Sequence, residues 1–269
     1  MRRVTDRLAG KVAVVVGAGQ TPGATIGNGR ATSMLFAREG ASVVCVDRHG
    51  DSAAETVRMV AGEGGTAYAV TADITREDDC RRIAAESVER FGRIDVLHNN
   101  VGIGAGDNSA VKLSEDNWRR IVDTNLTGMW LTCKHVLPVM REQQVGAVVN
   151  VSSLAAIAAT PLFAYKVTKA AVNAMTQQLA ISNARHGIRV NAIMPGLMDT
   201  PMAVAAPAAA LGVDREDYAS RRAAMVPLGH RQGTAWDVAY AALYLASDEA
   251  GFVTGALLPV DGGQGVNVG

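Results

Sequence analysis

Tyr165 and Lys169 stand four residues apart at the start of a segment with helical patterning. Side chains at that spacing share one face of a helix. A tyrosine alone is a poor proton donor or base at neutrality, with a reference pKa of about 10. By Coulomb's law, an ammonium ~4 Å away favours the phenolate by ~4 kcal/mol at an effective dielectric of ~20. That lowers the pKa by ~3 before desolvation subtracts from it, so the phenol is expected to work near neutral pH as a general acid or base. Ser153 follows the apolar run Ala147–Val151. In a parallel sheet it lies close to the helix that starts near Tyr165, and its hydroxyl can hydrogen-bond a substrate oxygen while Tyr165 exchanges the proton. A Tyr-x-x-x-Lys pair by itself is weak evidence. Its weight here comes from a second motif upstream.

That motif is a glycine cluster. The run Val12–Val16 leads into Gly17-Ala18-Gly19, glycines recur at 23, 27 and 29, and a helical segment follows. Glycine permits a tight turn and lets a pyrophosphate approach the backbone, while the helix N-terminus offers free N–H groups and partial positive charge. Two registers fit. One uses Gly17, Gly19 and Gly23, with a helix from Ala24; it buries Gly27 and Gly29 in that helix at ~1 kcal/mol each. The other, preferred, uses Gly17, Gly27 and Gly29, with the residues between as an enlarged loop. Asp47 ends the second apolar run, 18 residues after Gly29. A carboxylate there accepts hydrogen bonds from ribose hydroxyls and repels a 2′-phosphate, favouring NAD over NADP. Arg48 beside it could instead pair with that phosphate.

The elements that must position these residues alternate along the chain. Strands are expected at Val12–Val16, Ser42–Val46, Thr66–Val70, Ile94–His98, Ala147–Val151, Ile188–Ile193 and Leu257–Val260. Several are continuously apolar, as strands covered on both faces are. Helical patterns occupy Gly29–Glu39, Asp51–Gly62, Arg76–Phe91, Trp118–Met140, Phe163–Arg185 and Thr234–Ser247. The alternation predicts one α/β domain over 1–269, a doubly wound seven-stranded parallel sheet with helices on both faces. Thr200–Val213 breaks the rhythm: uncharged, alanine-rich, with Pro201 and Pro207, it reads as a mobile or irregular insertion beside the site, part of a substrate cover around 197–226.

Composition narrows the alternatives. The 269 residues are 48% hydrophobic and 19% charged, which argues against disorder. Zero net charge gives no basic surface for nucleic acid. The longest uncharged run, Gln143 to Tyr165, contains Asn150, Ser152, Ser153, Thr160 and Pro161, so no membrane partner is expected. Arg2 and Arg3 precede no apolar core long enough for a signal peptide. Cys45, Cys80 and Cys133 are scattered, as are the five histidines, so no disulfide framework and no metal site are expected, and a cytoplasmic location fits.

With those motifs in order, the sequence resembles the short-chain dehydrogenase/reductase family from Leu8 to Gly263. The stretches that carry the resemblance are Gly27-Asn28-Gly29-Arg30-Ala31, Asp73-Ile74, Asn99-Asn100-Val101-Gly102, Asn125-Leu126-Thr127-Gly128, Asn150-Val151-Ser152-Ser153, Tyr165-Lys166-Val167-Thr168-Lys169, Asn191-Ala192-Ile193-Met194-Pro195-Gly196 and Pro259-Val260-Asp261-Gly262-Gly263. The resemblance implies a Rossmann-type fold and reversible hydride transfer between a nicotinamide and a secondary alcohol or ketone. It implies Tyr165 as acid/base, Lys169 on the nicotinamide ribose, Ser153 orienting the substrate oxygen and Asn125 anchoring a water in a proton relay. Asp73 and Ile74 would meet the adenine, Asn100 and Gly102 line the cofactor trough, and Pro195, Gly196, Met198 and Thr200 flank the nicotinamide. It also implies a homotetramer, paired through the helices at Trp118–Met140 and Phe163–Arg185.

Three departures matter. Val16 replaces the first motif's usual threonine, and nine residues separate Gly17 from Gly27 instead of the usual three, so Gln20, Thr21 and Thr25 become candidate cofactor contacts. Val101 replaces an alanine. Ser153 lies 12 residues before Tyr165, about one fewer than the family's spacing, which leaves Ser152 as the alternative serine. The uncharged insertion predicts a mainly apolar or neutral substrate. Two other readings stay open: an NADP-dependent carbonyl or 3-oxoacyl reductase, and a non-catalytic dinucleotide-binding regulator.

Overall fold

The apolar runs pair into a single sheet because both of its faces have something to bury. The computed structural model describes residues 6–267; Arg2 and Arg3 lie outside them. In chain order the elements are β1 (Val12–Val16), α1 (Asn28–Arg38), β2 (Ser42–Asp47), α2 (Gly50–Gly62), β3 (Thr66–Thr71), α3 (Glu77–Phe91), β4 (Val96–Asn99), α4 (Glu115–Val122), α5 (Gly128–Gln143), β5 (Gly146–Val151), α6 (Phe163–Asn183), β6 (Ile188–Pro195), α7 (Ala206–Leu211), α8 (Arg215–Ala224), α9 (Ala235–Ala246) and β7 (Leu257–Val260). All neighbours run parallel, in the order β3-β2-β1-β4-β5-β6-β7. Along β1, Val12, Val14 and Val16 pack with Ile83 of α3 and Leu131, Val136 and Met140 of α5. Ala13 and Val15 point the other way, to Leu35 and Phe36 of α1 and Val238 and Ala242 of α9. Every residue of β1 is buried, so an alternating polar pattern has no place there. Each such valine or leucine contributes ~1.5–3 kcal/mol.

The chain winds outward in one direction through β1, β2 and β3, then returns to the centre at β4. Loops leaving the carboxyl ends of β1 and β4 therefore diverge and open a crevice between them.

Two expectations need correction. Trp118–Met140 is not one regular helix. It starts earlier, at Glu115, and is interrupted by a π turn over Asp123–Thr127 between α4 and α5. Its apolar face (Ile121, Met129, Cys133, Val136, Met140) is buried within the protomer, while Trp130 is half exposed. Thr200–Val213 is not irregular either. It forms a π turn, Pro201–Ala205, that continues into α7, and α8 follows without having been foreseen. Alanine is the strongest helix former. Pro201 opens the turn and Pro207 falls in the first turn of α7, positions where a missing N–H costs little.

His98 is an anomaly in the middle of β4. It is fully buried against the edge of Phe36, and neither ring nitrogen has a hydrogen-bond partner. Burial pushes its pKa from 6.5 down to about 3, so the folded protein holds it neutral. Below pH 6.5 the unfolded chain takes up a proton that the folded chain refuses, and stability falls with pH until about 3. At pH 5 this costs ~2 kcal/mol. Urea unfolding at pH 7 and pH 5 should show wild type losing about that much more than a His98→Leu variant. Equal losses would refute it.

No helix among the described residues is long and apolar enough to cross a membrane. Among the same residues no group of three or more His, Cys, Asp or Glu is placed to hold a metal, and the three cysteines are free and buried.

Candidate active site

The crevice is a cleft of about 930 Å³ across the carboxyl ends of the central strands. Its floor is the turn from β1 into α1. Gly17 has a φ of +81°, and its carbonyl accepts from Asn100 Nδ2 at 3.1 Å. Gly27 precedes the first residue of α1, so the register with an enlarged loop is the one observed. That loop is stapled by Gln20, whose Oε1 accepts from the Gly27 N–H at 2.9 Å, while Ser52 Oγ accepts from the Gln20 N–H at 2.9 Å. Gln20 and Thr21 line the cleft. Thr25 does not; its carbonyl accepts from Gln20 Nε2.

The start of α1 is built for an anion. It has no capping side chain and no acidic residue in its first turn, whereas α4 and α8 have both. The buried Asn28 Oδ1 has no partner. A Cβ on Gly29 would stand 1.9 Å from the Gly17 carbonyl oxygen. Free N–H groups, partial positive charge and a backbone approach that only glycine allows are the features a diphosphate needs. The residues present therefore fit a dinucleotide. Asp47 sits at the end of β2, its Oδ2 accepting from the Gly19 N–H at 3.0 Å and its Oδ1 from the His49 N–H at 2.9 Å. Arg48 lies on the rim, donating to His49 Nε2. Asp73 and Ile74 follow β3 and line the far end, with Asp73 Oδ1 held by Thr75.

At the other end the residues that can do chemistry converge. Ser153 lies two residues beyond β5, its Oγ accepting from the Ala155 N–H at 3.1 Å, close enough to the Tyr165 phenol to lower its pKa. Ser152 is buried and its hydroxyl donates to the Lys169 carbonyl at 3.0 Å, so the geometry brings Ser153, not Ser152, to the phenol. Lys169 Nζ donates to the Val151 carbonyl at 2.8 Å and stands 5.6 Å from the centre of the Tyr165 ring. Lys169 is thus tied to Val151 by its side chain and to Ser152 by its backbone.

The electrostatics correct one expectation. Burial raises the Tyr165 pKa, against a smaller lowering by the Ser153 hydrogen bond. Burial also lowers Lys169 to about 8. The ammonium faces a strand carbonyl and the ring instead of a phenolate, and desolvation governs both groups. In this state the phenol is held protonated.

Asn125 sits behind the cleft wall. It lies in the π turn, fully buried and away from the cleft lining. Its Oδ1 accepts from the Ile103 N–H at 2.7 Å, and its Nδ2 donates to the Ile103 carbonyl at 2.9 Å. The side chain pins the loop after β4, and its Nδ2 also donates to Thr168 Oγ1 of α6 at 3.2 Å. That loop brings Gly102 so near Lys169 that a Cβ would lie 2.9 Å from Nζ. Pro195 ends β6 and Gly196 follows it, with Met198 and Thr200 beyond, all lining the cleft. Gln264, a residue the sequence did not single out, holds this turn by accepting the Leu197 N–H on Oε1 at 2.9 Å. Pro201, Met202 and Ala203 of the insertion form the near wall.

A central parallel sheet, an uncapped glycine turn at its switch point and a Ser–Tyr–Lys cluster define a dinucleotide-dependent oxidoreductase. The sequence comparisons agree. The family described as enoyl-(acyl carrier protein) reductase matches residues 23–264. The 3-oxoacyl-(acyl-carrier-protein) reductase of Thermotoga maritima is 38% identical over 96% of this chain and 98% of its own. The cis-4-hydroxycyclohexanecarboxylate dehydrogenase of Sinomonas cyclohexanicum is also 38% identical, over 96% and 98%. The crystal structure of carveol dehydrogenase from Mycobacterium avium in complex with NAD superposes with a TM-score of 0.89 at 29% identity, covering 97% of this chain and 99% of that one. The chain belongs to the short-chain dehydrogenase/reductase family of oxidoreductases.

Proposed function

We propose that this protein interconverts secondary alcohols and ketones with NAD, using Tyr165 as the acid/base. The observation that carries this reading is the Ser153–Tyr165–Lys169 cluster opening onto the same cleft as the uncapped start of α1. The bound coenzyme supplies a hydride acceptor or donor at its nicotinamide. In the reducing direction, Tyr165 gives its proton to the substrate oxygen, for which its protonated state suits it; in the oxidising direction it takes one back. Ser153 accepts or donates to the same oxygen and keeps it at the phenol. Lys169 holds the nicotinamide ribose, and Gly102 leaves it room. Gly17, Gly27 and Asn28 receive the diphosphate, Asp73 and Ile74 the adenine, and Pro195, Gly196, Met198 and Thr200 the nicotinamide. Asn125 holds the Ile103 loop beside Lys169 and anchors a water in a proton relay through Lys169.

Asp47 favours NAD, because a carboxylate at the end of β2 repels a 2′-phosphate. Arg48 on the cleft rim supports the second reading, an NADP-dependent carbonyl or 3-oxoacyl reductase. The wall of Pro201, Met202 and Ala203 supports a neutral, mainly apolar substrate. A panel of secondary alcohols and ketones, followed by nicotinamide absorbance with both coenzymes, tests these points together. NADH should exceed NADPH in kcat/KM by at least about tenfold, equivalent to ~1.4 kcal/mol. Equal or better turnover with NADPH would overturn the assignment, and turnover restricted to anionic substrates would overturn the substrate class. A homotetramer in the cytoplasm completes the proposal, supported by the exposed Trp130 of α5 and Phe163, Val167 and Ile181 of α6.

A further inference from the structure

The helix that carries Tyr165 and Lys169 has no cap of its own. Leu162, which precedes α6, makes no side-chain capping bond, and the first turn holds no acidic residue. The first N–H groups of a helix need acceptors, and near the site an unpaired one would leave the turn free to fray. The acceptors come from the loop after β4. Asp107 Oδ1 accepts from the Ala164 N–H at 3.0 Å, and Asp107 Oδ2 from the N–H of Tyr165 itself at 2.7 Å. The Asn108 carbonyl accepts from the Phe163 N–H at 3.3 Å. Three successive donors are thus satisfied from residues more than fifty positions upstream.

The carboxylate is fixed from its own side as well. Asp107 Oδ1 also accepts from the Asn108 N–H at 2.8 Å, and the Asp107 N–H donates to the Gly104 carbonyl at 3.1 Å. Arg120 donates to the Ala105 carbonyl, and Asn125 brackets Ile103. Gly104 faces the same helix start: a Cβ there would meet Leu162 at 3.5 Å and Tyr165 Cδ2 at 3.7 Å, ordinary contact distances. The loop is therefore held at both ends and lies beside the tyrosine ring, with a charged acceptor aimed at the tyrosine's own backbone. Charge-assisted bonds of this kind are short and directional, and an anion at a helix N-terminus is favoured by the helix dipole.

We propose that Asp107 is a positioning residue that clamps the first turn of α6 to the loop after β4 and thereby fixes where the Tyr165 phenol stands in the cleft. The inference rests on the acid/base reading of Tyr165. Displacement of a reacting group by about 1 Å costs about 100-fold in rate, and loss of the clamp acts in this way without touching the coenzyme.

Asp107→Ala and Asp107→Asn test it. In Asp107→Ala, kcat for ketone reduction should fall by about 30- to 100-fold, while KM and Kd for NADH stay within about twofold. Asp107→Asn keeps one acceptor oxygen and should fall between Asp107→Ala and wild type. Amide hydrogen exchange at Ala164 and Tyr165 should speed up in both variants, with the interior of α6 unchanged. A purely structural cap would instead lower the folded fraction and leave kcat per folded molecule intact. Wild-type kcat in folded Asp107→Asn, or unchanged exchange at those two amides, would overturn the proposal, and Asp107→Asn decides the matter if Asp107→Ala does not fold. A wild-type protein with no turnover on any alcohol or ketone would sink the acid/base reading instead, and the exchange measurement would still judge the clamp.

Discussion

Tyr165→Phe is expected to lower kcat by about 1,000-fold, the middle of the range for a positioned general acid, with NADH affinity unchanged within about twofold. The substitution removes the phenolic oxygen and nothing else. The ring that Lys169 faces at 5.6 Å remains, as do the Lys169 bond to Val151 and the Ser152 bond to the Lys169 carbonyl. Asp107 bonds the backbone of residue 165, so the helix start is also preserved. Ser153 keeps the Ala155 N–H as a partner. Coenzyme binding measured by fluorescence titration should then report an intact cleft in which only the proton transfer has been lost. Turnover within threefold of wild type would remove Tyr165 from the chemistry.

The second large effect belongs to Gly29. A methyl there would stand 1.9 Å from the Gly17 carbonyl oxygen, with Asn100 Nδ2 at 2.8 Å. Neither neighbour can yield cheaply: one is backbone, and the other is hydrogen-bonded to that same carbonyl at 3.1 Å. Gly29→Ala must therefore part the β1–α1 turn, at ~1–3 kcal/mol of stability by analogy with overpacked interiors. The same movement takes the helix N–H groups away from the diphosphate, and coenzyme affinity should fall by at least about 100-fold, equivalent to ~2.7 kcal/mol. Calorimetric titration beside urea unfolding separates the two effects. Gly62→Ala serves as the control, because nothing lies within 4 Å of a methyl at that position and its φ is not positive. NADH affinity within threefold of wild type in Gly29→Ala would mean that the diphosphate lies elsewhere.

The strands and the outline of the site are legible in the sequence because their causes are local. Val12–Val16 is apolar throughout since the sheet is covered on both sides, and Gly17 and Gly29 stand where the backbone of β1 and the start of α1 meet too closely for a side chain. The spacing of Tyr165 and Lys169 follows from helix geometry alone. What escaped has nonlocal causes. Nothing near Asp107 announces that it caps a helix beginning at Phe163. The π turn around Asn125 leaves the apolar periodicity nearly intact, so Trp118–Met140 looks continuous. Alanine content and two prolines in Thr200–Val213 point in opposite directions, and helix propensity prevails because the prolines stand where turns begin. By contrast, α8 could have been found: Asp214 caps it by accepting the Asp217 N–H at 3.0 Å, a sequence-local signature. The direction of the Tyr165 pKa could not, since the competing desolvation depends on everything packed around it.

Gln264, just beyond β7, is the acceptor that holds the Leu197 N–H in the turn after Pro195 and Gly196. A nascent chain emerging from the ribosome thus carries its whole glycine turn and its Ser–Tyr–Lys cluster well before the nicotinamide-side wall has its support. The last support of the nicotinamide-side wall is thus among the last residues to be synthesised.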